Sequence, residues 1–171
     1  MSNKSLLPKY VFFVSGTGRH KDRLQAFDRA LLNAGPLTHN LVAVSSILPA
    51  GCKIISSKKG LDMLTPGEIV FCVMAKQDTN IIGEIASAAV GVIRSKKSSK
   101  FGYISEYHGN AKNKKVASKI AKRLAVEMFS SRTKISSKKL SPSLLEAISA
   151  SIKQPGNNEW VCSVALCIFV L

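Results

Sequence analysis

Hydrophobic residues come in short runs, each closed by turn-forming residues. Tyr10 to Val14 (Tyr-Val-Phe-Phe-Val) is apolar throughout and predicts a buried strand. Ser15-Gly16-Thr17-Gly18-Arg19-His20 then reads as a flexible loop. Its lone Gly-x-Gly reads as a plain turn, because no third glycine completes a dinucleotide fingerprint. Leu24 to Ala34 has helical spacing, with Asp22 as a cap and Gly35-Pro36 as a stop. Leu24, Phe27, Leu31 and Ala34 make its apolar stripe, and Asp28 falls within that stripe, flanked by Leu24, Leu31 and Leu32. Asn40 to Ser45 predicts a second strand, followed by a turn at Pro49-Ala50-Gly51 and a short strand over Lys53 to Ser56. Thr65-Pro66-Gly67 turns the chain into a strand over Glu68 to Ala75. The spacing of Ile82, Ile85, Ala86, Ala89, Val92 and Ile93 predicts a helix over Asn80 to Ile93, in which Gly83 and Gly91 either weaken the helix or mark close packing.

Beyond a basic loop at Ser95 to Lys100, Phe101 to Tyr107 alternates as a strand does. Ile104 and Glu106 share one face; Phe101, Tyr103 and Tyr107 share the other. Asn113 to Arg132 predicts the longest helix, with Val116, Ile120, Leu124 and Met128 as its core row and Ala117, Ala121 and Ala125 supporting it. Ser141-Pro142 resembles a cap and first-turn proline opening a short helix through Ile152. Trp160 to Leu171 is apolar on both faces, which predicts a central strand in a sheet covered on both sides. The pattern amounts to about six strands and four helices in one α/β or α+β domain of two or more layers. No linker splits residues 1–171.

Composition adds limits. The chain of 171 residues is 46% hydrophobic, enough for a full core. Its longest apolar run, Trp160 to Leu171, falls short of the ~20 residues a spanning helix needs. Met1 to Lys9 lacks a signal-peptide pattern, so a cytoplasmic location is expected. Cys52, Cys72, Cys162 and Cys167 have no Cys-x-x-Cys spacing and read as buried, inert thiols rather than metal ligands. The net charge is +15, and Arg94 to Lys139 holds fourteen lysines and arginines against Glu106 and Glu127. That block is either a solvated face or a surface for phosphates or nucleic acid, although few aromatics accompany it for base stacking.

Three features carry candidate chemistry. Ser45-Ser46 ends the second strand, but Ser-Ser recurs at 56–57, 98–99, 130–131 and 136–137, so context must distinguish it. Asp28 on an apolar stripe is costly unless paired: it is an edge position with a local hydrogen bond, or an anion for a cationic ligand. Glu106 is a solvent-facing strand residue, or a half-buried acid with a raised pKa able to donate a proton.

Leu24-Gln25-Ala26-Phe27-Asp28-Arg29-Ala30-Leu31-Leu32-Asn33-Ala34-Gly35, Asn40-Leu41, Ser45-Ser46-Ile47-Leu48-Pro49 and Ile104-Ser105-Glu106-Tyr107-His108-Gly109, in that order, resemble the pyruvoyl-dependent arginine decarboxylases. Gly83-Glu84 and the Ala/Ser-rich segment after it look like a matching family helix. The agreement runs from about Val11 to Gly109 and thins beyond Ala111.

The resemblance implies a four-layer αββα sandwich, assembled as a trimer or a dimer of trimers, with active sites between subunits. It implies self-cleavage between Ser45 and Ser46, into a β chain (1–45) and an α chain (46–171). The Ser46 hydroxyl would attack the preceding carbonyl in an N-to-O acyl shift, with Asn40 matching the family's polar residue that supplies an amide donor. Elimination and hydrolysis would then leave a pyruvoyl group at position 46. That ketone would take the α-amine of L-arginine as a Schiff base and accept electrons as CO₂ leaves, giving agmatine with no pyridoxal phosphate and no metal. Glu106 matches the family's acid. Asp28 matches the carboxylate that pairs with the guanidinium, and Ser45 also lies at the substrate site. Two features depart from this pattern: Arg29 beside the aspartate, where a small residue is expected, and a basic surface ill-suited to steering a cationic substrate. The alternative reading is a nucleic-acid-binding module built on the 94–139 block.

Overall fold

A computed structural model describes residues 6–35, 38–97, 99–137 and 140–171. Its ordered elements are β1 (Tyr10–His20), α1 (Arg23–Ala34), β2 (Asn40–Ala43), β3 (Ile47–Leu48), β4 (Lys53–Ile54), α2 (Ser57–Leu61), β5 (Ile69–Thr79), β6 (Ile85–Ile93), β7 (Gly102–Gly109), α3 (Lys114–Thr133), β8 (Leu145–Lys153) and β9 (Trp160–Val170). Five strands form a mixed sheet in the order β2-β5-β9-β1-β4, and four form an antiparallel sheet in the order β3-β7-β6-β8. Val11, Val73, Ala75, Ala165, Cys167 and Phe169 of the first sheet meet Leu48, Ala88, Val90, Val92 and Ile104 of the second. α1 covers the outer face of the first sheet and α3 that of the second. The protein is α+β, with its layers stacked helix, sheet, sheet, helix. Among the described residues no helix is long and apolar enough to cross a membrane.

β9 pairs along its length with β1, from Tyr10↔Val170 to His20↔Trp160, and on its other side with β5. It is buried from Val161 to Val170, as expected of a central strand covered on both faces. Cys162 and Cys167 face opposite layers, as their spacing requires. Burial raises the thiol pKa of Cys52 and Cys72 to about 11 and that of Cys162 to about 12, so these cysteines are protonated packing residues.

Several expectations need correction. Ser15 to His20 is not a loop: β1 continues through it. A Cβ on Gly16 would lie 2.3 Å from the Ala30 carbonyl oxygen, and one on Gly18 would lie 2.2 Å from that of Ala26. The two glycines let α1 seat directly on the strand, a close approach that a glycine in a strand often marks. The helix expected over Asn80 to Ile93 is strand β6, buried from Ala86 to Ile93 between the other sheet and α3. A strand covered on both faces is apolar at nearly every position and so satisfies helical spacing as well. Gly91 is the close-packing glycine, since its Cβ would meet the Ala121 carbonyl at 2.5 Å. Gly83 is a turn residue with φ of 81°, and Glu84 leads into β6 rather than into a helix. The helix expected after Ser141-Pro142 is one 3-10 turn, Pro142–Leu144, followed by β8. With these two exchanges and the unexpected short elements β3 and α2, the expected six strands and four helices become nine strands and three α-helices among the described residues.

α3 begins where expected, with the Asn113 side chain accepting from Val116 N at 3.1 Å. Its buried row is Ala117, Ala121, Ala125 and Phe129, one residue on from the expected row, and Val116 is 39% exposed. Ser105 Oγ donates to the Ala121 carbonyl at 2.6 Å, which ties the helix directly to the sheet there. α1 has its expected cap, with Asp22 accepting from Gln25 N at 2.9 Å and Gly35 closing it at φ 145°. Pro36 lies outside the described residues.

Candidate active site

The chain changes sheets at Val44 to Ser46. β2 lies at one edge of the five-stranded sheet and β3 at one edge of the four-stranded sheet, and only three residues join them. The crossing is anchored at both ends: Val44 N donates to the Cys72 carbonyl at 2.9 Å, and Ser46 O accepts from Ile104 N at 2.8 Å. Between these anchors Ile47 N donates to the Ser45 carbonyl at 3.1 Å, closing a three-residue turn centred on Ser46. That carbonyl is the one the Ser46 hydroxyl would attack. An N–H directed at it polarises the carbonyl and stabilises developing negative charge. Ser45 is exposed and Ser46 half-buried. Beside them lies a cavity of about 330 Å³ lined by Leu6, Pro8, Val44, Ser45, Ile47, Pro49, Phe71 and Phe169.

The Ile104 anchor joins this turn to β7. Strand alternation puts Glu106 on the face of Ile104, toward the space between the sheets. Tyr103 and Tyr107 lie on the opposite face, as expected, and there they pack against α3. β3 pairs with β7 only at Tyr103 and Gly102, so β3 does not extend along β7 beside Glu106. Burial raises the Glu106 pKa, and the charge of His108 partly opposes it. A carboxyl whose affinity for its proton is raised by burial is the kind of group that serves as a proton donor.

Two other expected site residues lie elsewhere in the single chain. Asn40 begins β2, and its Nδ2 donates to the Gly67 carbonyl at 2.8 Å. Five positions along the chain separate it from Ser45, of which the first four residues, Asn40–Ala43, form β2. Asp28 is not on the buried stripe of α1, which is centred on Ala26 and Ala30 with Phe27, Leu31 and Ala34 beside them. Asp28 points outward and is exposed, between Leu24 at 70% and Leu32 at 60% exposure. The five-stranded sheet stands between α1 and Glu106. Arg29 turns from Asp28 and donates through Nη1 to the Arg19 carbonyl at 3.0 Å. Sequence reasoning missed His108 as Glu106's neighbour, although its place two residues along a strand was the signal.

The family model for pyruvoyl-dependent arginine decarboxylase matches residues 10–171. The chain is 39% identical over 166 residues to pyruvoyl-dependent arginine decarboxylase 1 of Methanosarcina acetivorans, which covers 97% of this chain and 98% of that protein. It is 38% identical over 169 residues to the pyruvoyl-dependent arginine decarboxylase of Methanocella arvoryzae, covering 98% of this chain and 99% of that protein. A pyruvoyl-dependent arginine decarboxylase 2 of Archaeoglobus fulgidus is 48% identical over 125 residues, 73% of this chain and 78% of that protein. With a match running almost from end to end, the chain belongs to the pyruvoyl-dependent arginine decarboxylase family.

Proposed function

We propose that this protein cuts itself between Ser45 and Ser46, converts Ser46 to a pyruvoyl group, and decarboxylates L-arginine to agmatine and CO₂. The observation that carries the reading is the three-residue crossing: its Ser45 carbonyl accepts from Ile47 N, and its ends are anchored to different sheets. The hydroxyl of Ser46 is the nucleophile for its own peptide bond, and the Ile47 N–H is the donor nearest the carbonyl that gains charge. No long rearrangement is needed to hold the fragments once the bond breaks. The 1–45 fragment keeps β1 at the interior of the five-stranded sheet, and the 46–171 fragment keeps its start through the Ile104 anchor.

The surroundings suit a pyruvoyl group. Its chain end is anchored at a half-buried position, and the adjoining cavity is apolar except for Ser45. When formed, that group supplies a carbonyl for the substrate amine and a sink for the electrons left as CO₂ departs. The chain's own residues supply the rest. Phe71 and Phe169, which line the cavity, offer packing for an aliphatic stem. Each decarboxylation consumes one proton at the carbon that loses CO₂, and Glu106 holds that proton at its carboxyl.

Asp28 enters this site from a second copy of the chain in a trimer or a pair of trimers. The exposed row Leu24, Asp28 and Leu32 supports that arrangement: a carboxylate between two exposed leucines fits a surface that a neighbour covers. There the carboxylate would pair with the substrate guanidinium through two charge-assisted hydrogen bonds. Intact mass measurement of purified protein tests the reading. Two chains dividing at 45/46, the second lacking its amino group, are expected. A whole chain in protein that turns over arginine would overturn it.

A further inference from the structure

We propose that His108, two residues along the same face of β7, is a positioning residue for the proton that Glu106 gives to substrate. This rests on the reading of Glu106 as proton donor. Ile104, Glu106 and His108 occupy one face of β7, opposite Val92, Val90 and Ala88 of β6. Exposure rises along that row, from fully buried Ile104 through half-buried Glu106 to exposed His108. The row therefore leads from the inter-sheet core to solvent within three alternate residues, along an edge that β3 leaves unpaired beyond Tyr103.

Other charged groups are placed where they compete little. β3 and β6 carry none. On β5, Phe71, Val73 and Ala75 face Glu106's side, whereas Lys76 and Asp78 share the face of Cys72 and Met74 toward α1. Cys52 and Cys167 lie in the inter-sheet core as thiols that burial keeps protonated. Cys72, on the opposite face of β5, is held protonated chiefly by burial and secondarily by Glu106's charge. Glu146 of β8, two strands away, is 3.3 Å from Arg94. Glu84 accepts from Thr79 Oγ1 at 2.7 Å, and Arg19 is 4.0 Å from Glu159. The lysines of α3 lie across the second sheet.

Two opposing effects therefore meet at one carboxyl. Burial favours the protonated form; a charged imidazole favours the carboxylate. A general acid must hold its proton and also give it up, and its rate follows the balance of these two demands.

The test uses processed enzyme carrying His108→Asn or His108→Lys. Carbon NMR of labelled glutamate follows the Glu106 carboxyl, identified by its loss in Glu106→Gln. With His108→Asn, the Glu106 titration is expected to move to higher pH. The kcat plateau at acid pH should fall several-fold, and the alkaline limb should extend, so that the two profiles cross. With His108→Lys, whose charge persists, the alkaline limb should stay at or below the parent's. A Glu106 titration unmoved in both variants overturns the role of His108. Full parental turnover in Glu106→Gln overturns the donor reading itself, and the two failures are told apart by that variant alone.

Discussion

Ser45-Ser46 and Ser130-Ser131 are chemically the same pair, and the fold treats them in opposite ways. Ser130 and Ser131 sit near the end of α3, where the Ser130 carbonyl accepts from Lys134 N at 2.9 Å and Ser131 Oγ donates to the Met128 carbonyl at 2.9 Å. Their backbone is one stretch of a helical ladder, with both neighbours in the same rigid element. Ser45 and Ser46 lie between two sheets: Val44 before them is tied to one sheet and the Ser46 carbonyl to the other. Ser56, at another pair, uses its hydroxyl to accept from Lys59 N at 3.3 Å and cap α2. The comparison teaches that a serine pair becomes a cleavage site through its anchors. What sets 45–46 apart is a carbonyl held between two sheets with an N–H already directed at it.

The sharpest break of this comparison removes one hydroxyl from each pair. Ser46→Ala should leave a single whole chain without decarboxylase activity, because the nucleophile and the carbon skeleton of the prosthetic group are lost together. Ser131→Ala should cleave and turn over as the parent does. The pair of results is read on a denaturing gel and by CO₂ release. Cleavage that persists in Ser46→Ala, or vanishes in Ser131→Ala, removes the distinction.

A smaller effect separates bond breaking from turnover. Glu106 reaches the crossing through Ile104, two residues before it in β7, and no carboxylate stands in that relation to Ser130. Glu106→Gln should still cleave, since the Ser46 hydroxyl and Ile47 N–H remain. Its kcat should fall on the order of 10²–10⁴-fold, the usual range for a lost general acid. Equal losses of cleavage and turnover would mean that Glu106 serves the crossing itself rather than the substrate.

What could be read in advance follows the same division. Local patterns were legible: the Asp22 and Asn113 caps, the turn at Thr65-Pro66-Gly67, the alternation of Ile104 and Glu106, and the central place of Trp160 onward. Features fixed by a distant layer were not. Gly16 and Gly18 look like a loop until α1 is seen to press on them, and β6 satisfies a helical period because both its faces are covered. The buried row of α3 is the alanines because Ser105 and Gly91 draw the helix close; larger residues at those positions would have read as core. Asp28 was expected on a buried stripe because leucines flank it, and nothing in the local sequence says that those leucines face outward.

The smallest effect tests the environment of Glu106 independently of catalysis. Its carboxyl binds its proton more tightly in the folded chain than in the unfolded one, because burial outweighs the charge of His108. Between the ordinary glutamate value near 4.3 and the raised folded value, the folded state therefore carries more bound protons than the unfolded state. Stability then falls as pH rises through that window, and the cost is present in full above it. Glutamine has no proton to lose. The measurement belongs in a Ser46→Ala background, where an intact junction keeps unfolding a one-chain process. Chemical denaturation of Ser46→Ala and of Ser46→Ala with Glu106→Gln should give nearly equal midpoints at acid pH, where the carboxylic acid and the amide are both neutral. Towards neutrality the glutamine chain should become the more stable of the two. The substitution that most damages turnover would thus relieve the fold, as expected when a charge is kept at the rim of an apolar space for chemistry rather than for packing. Midpoints that differ by the same amount at every pH would place Glu106 in ordinary solvent and leave the crossing without its acid.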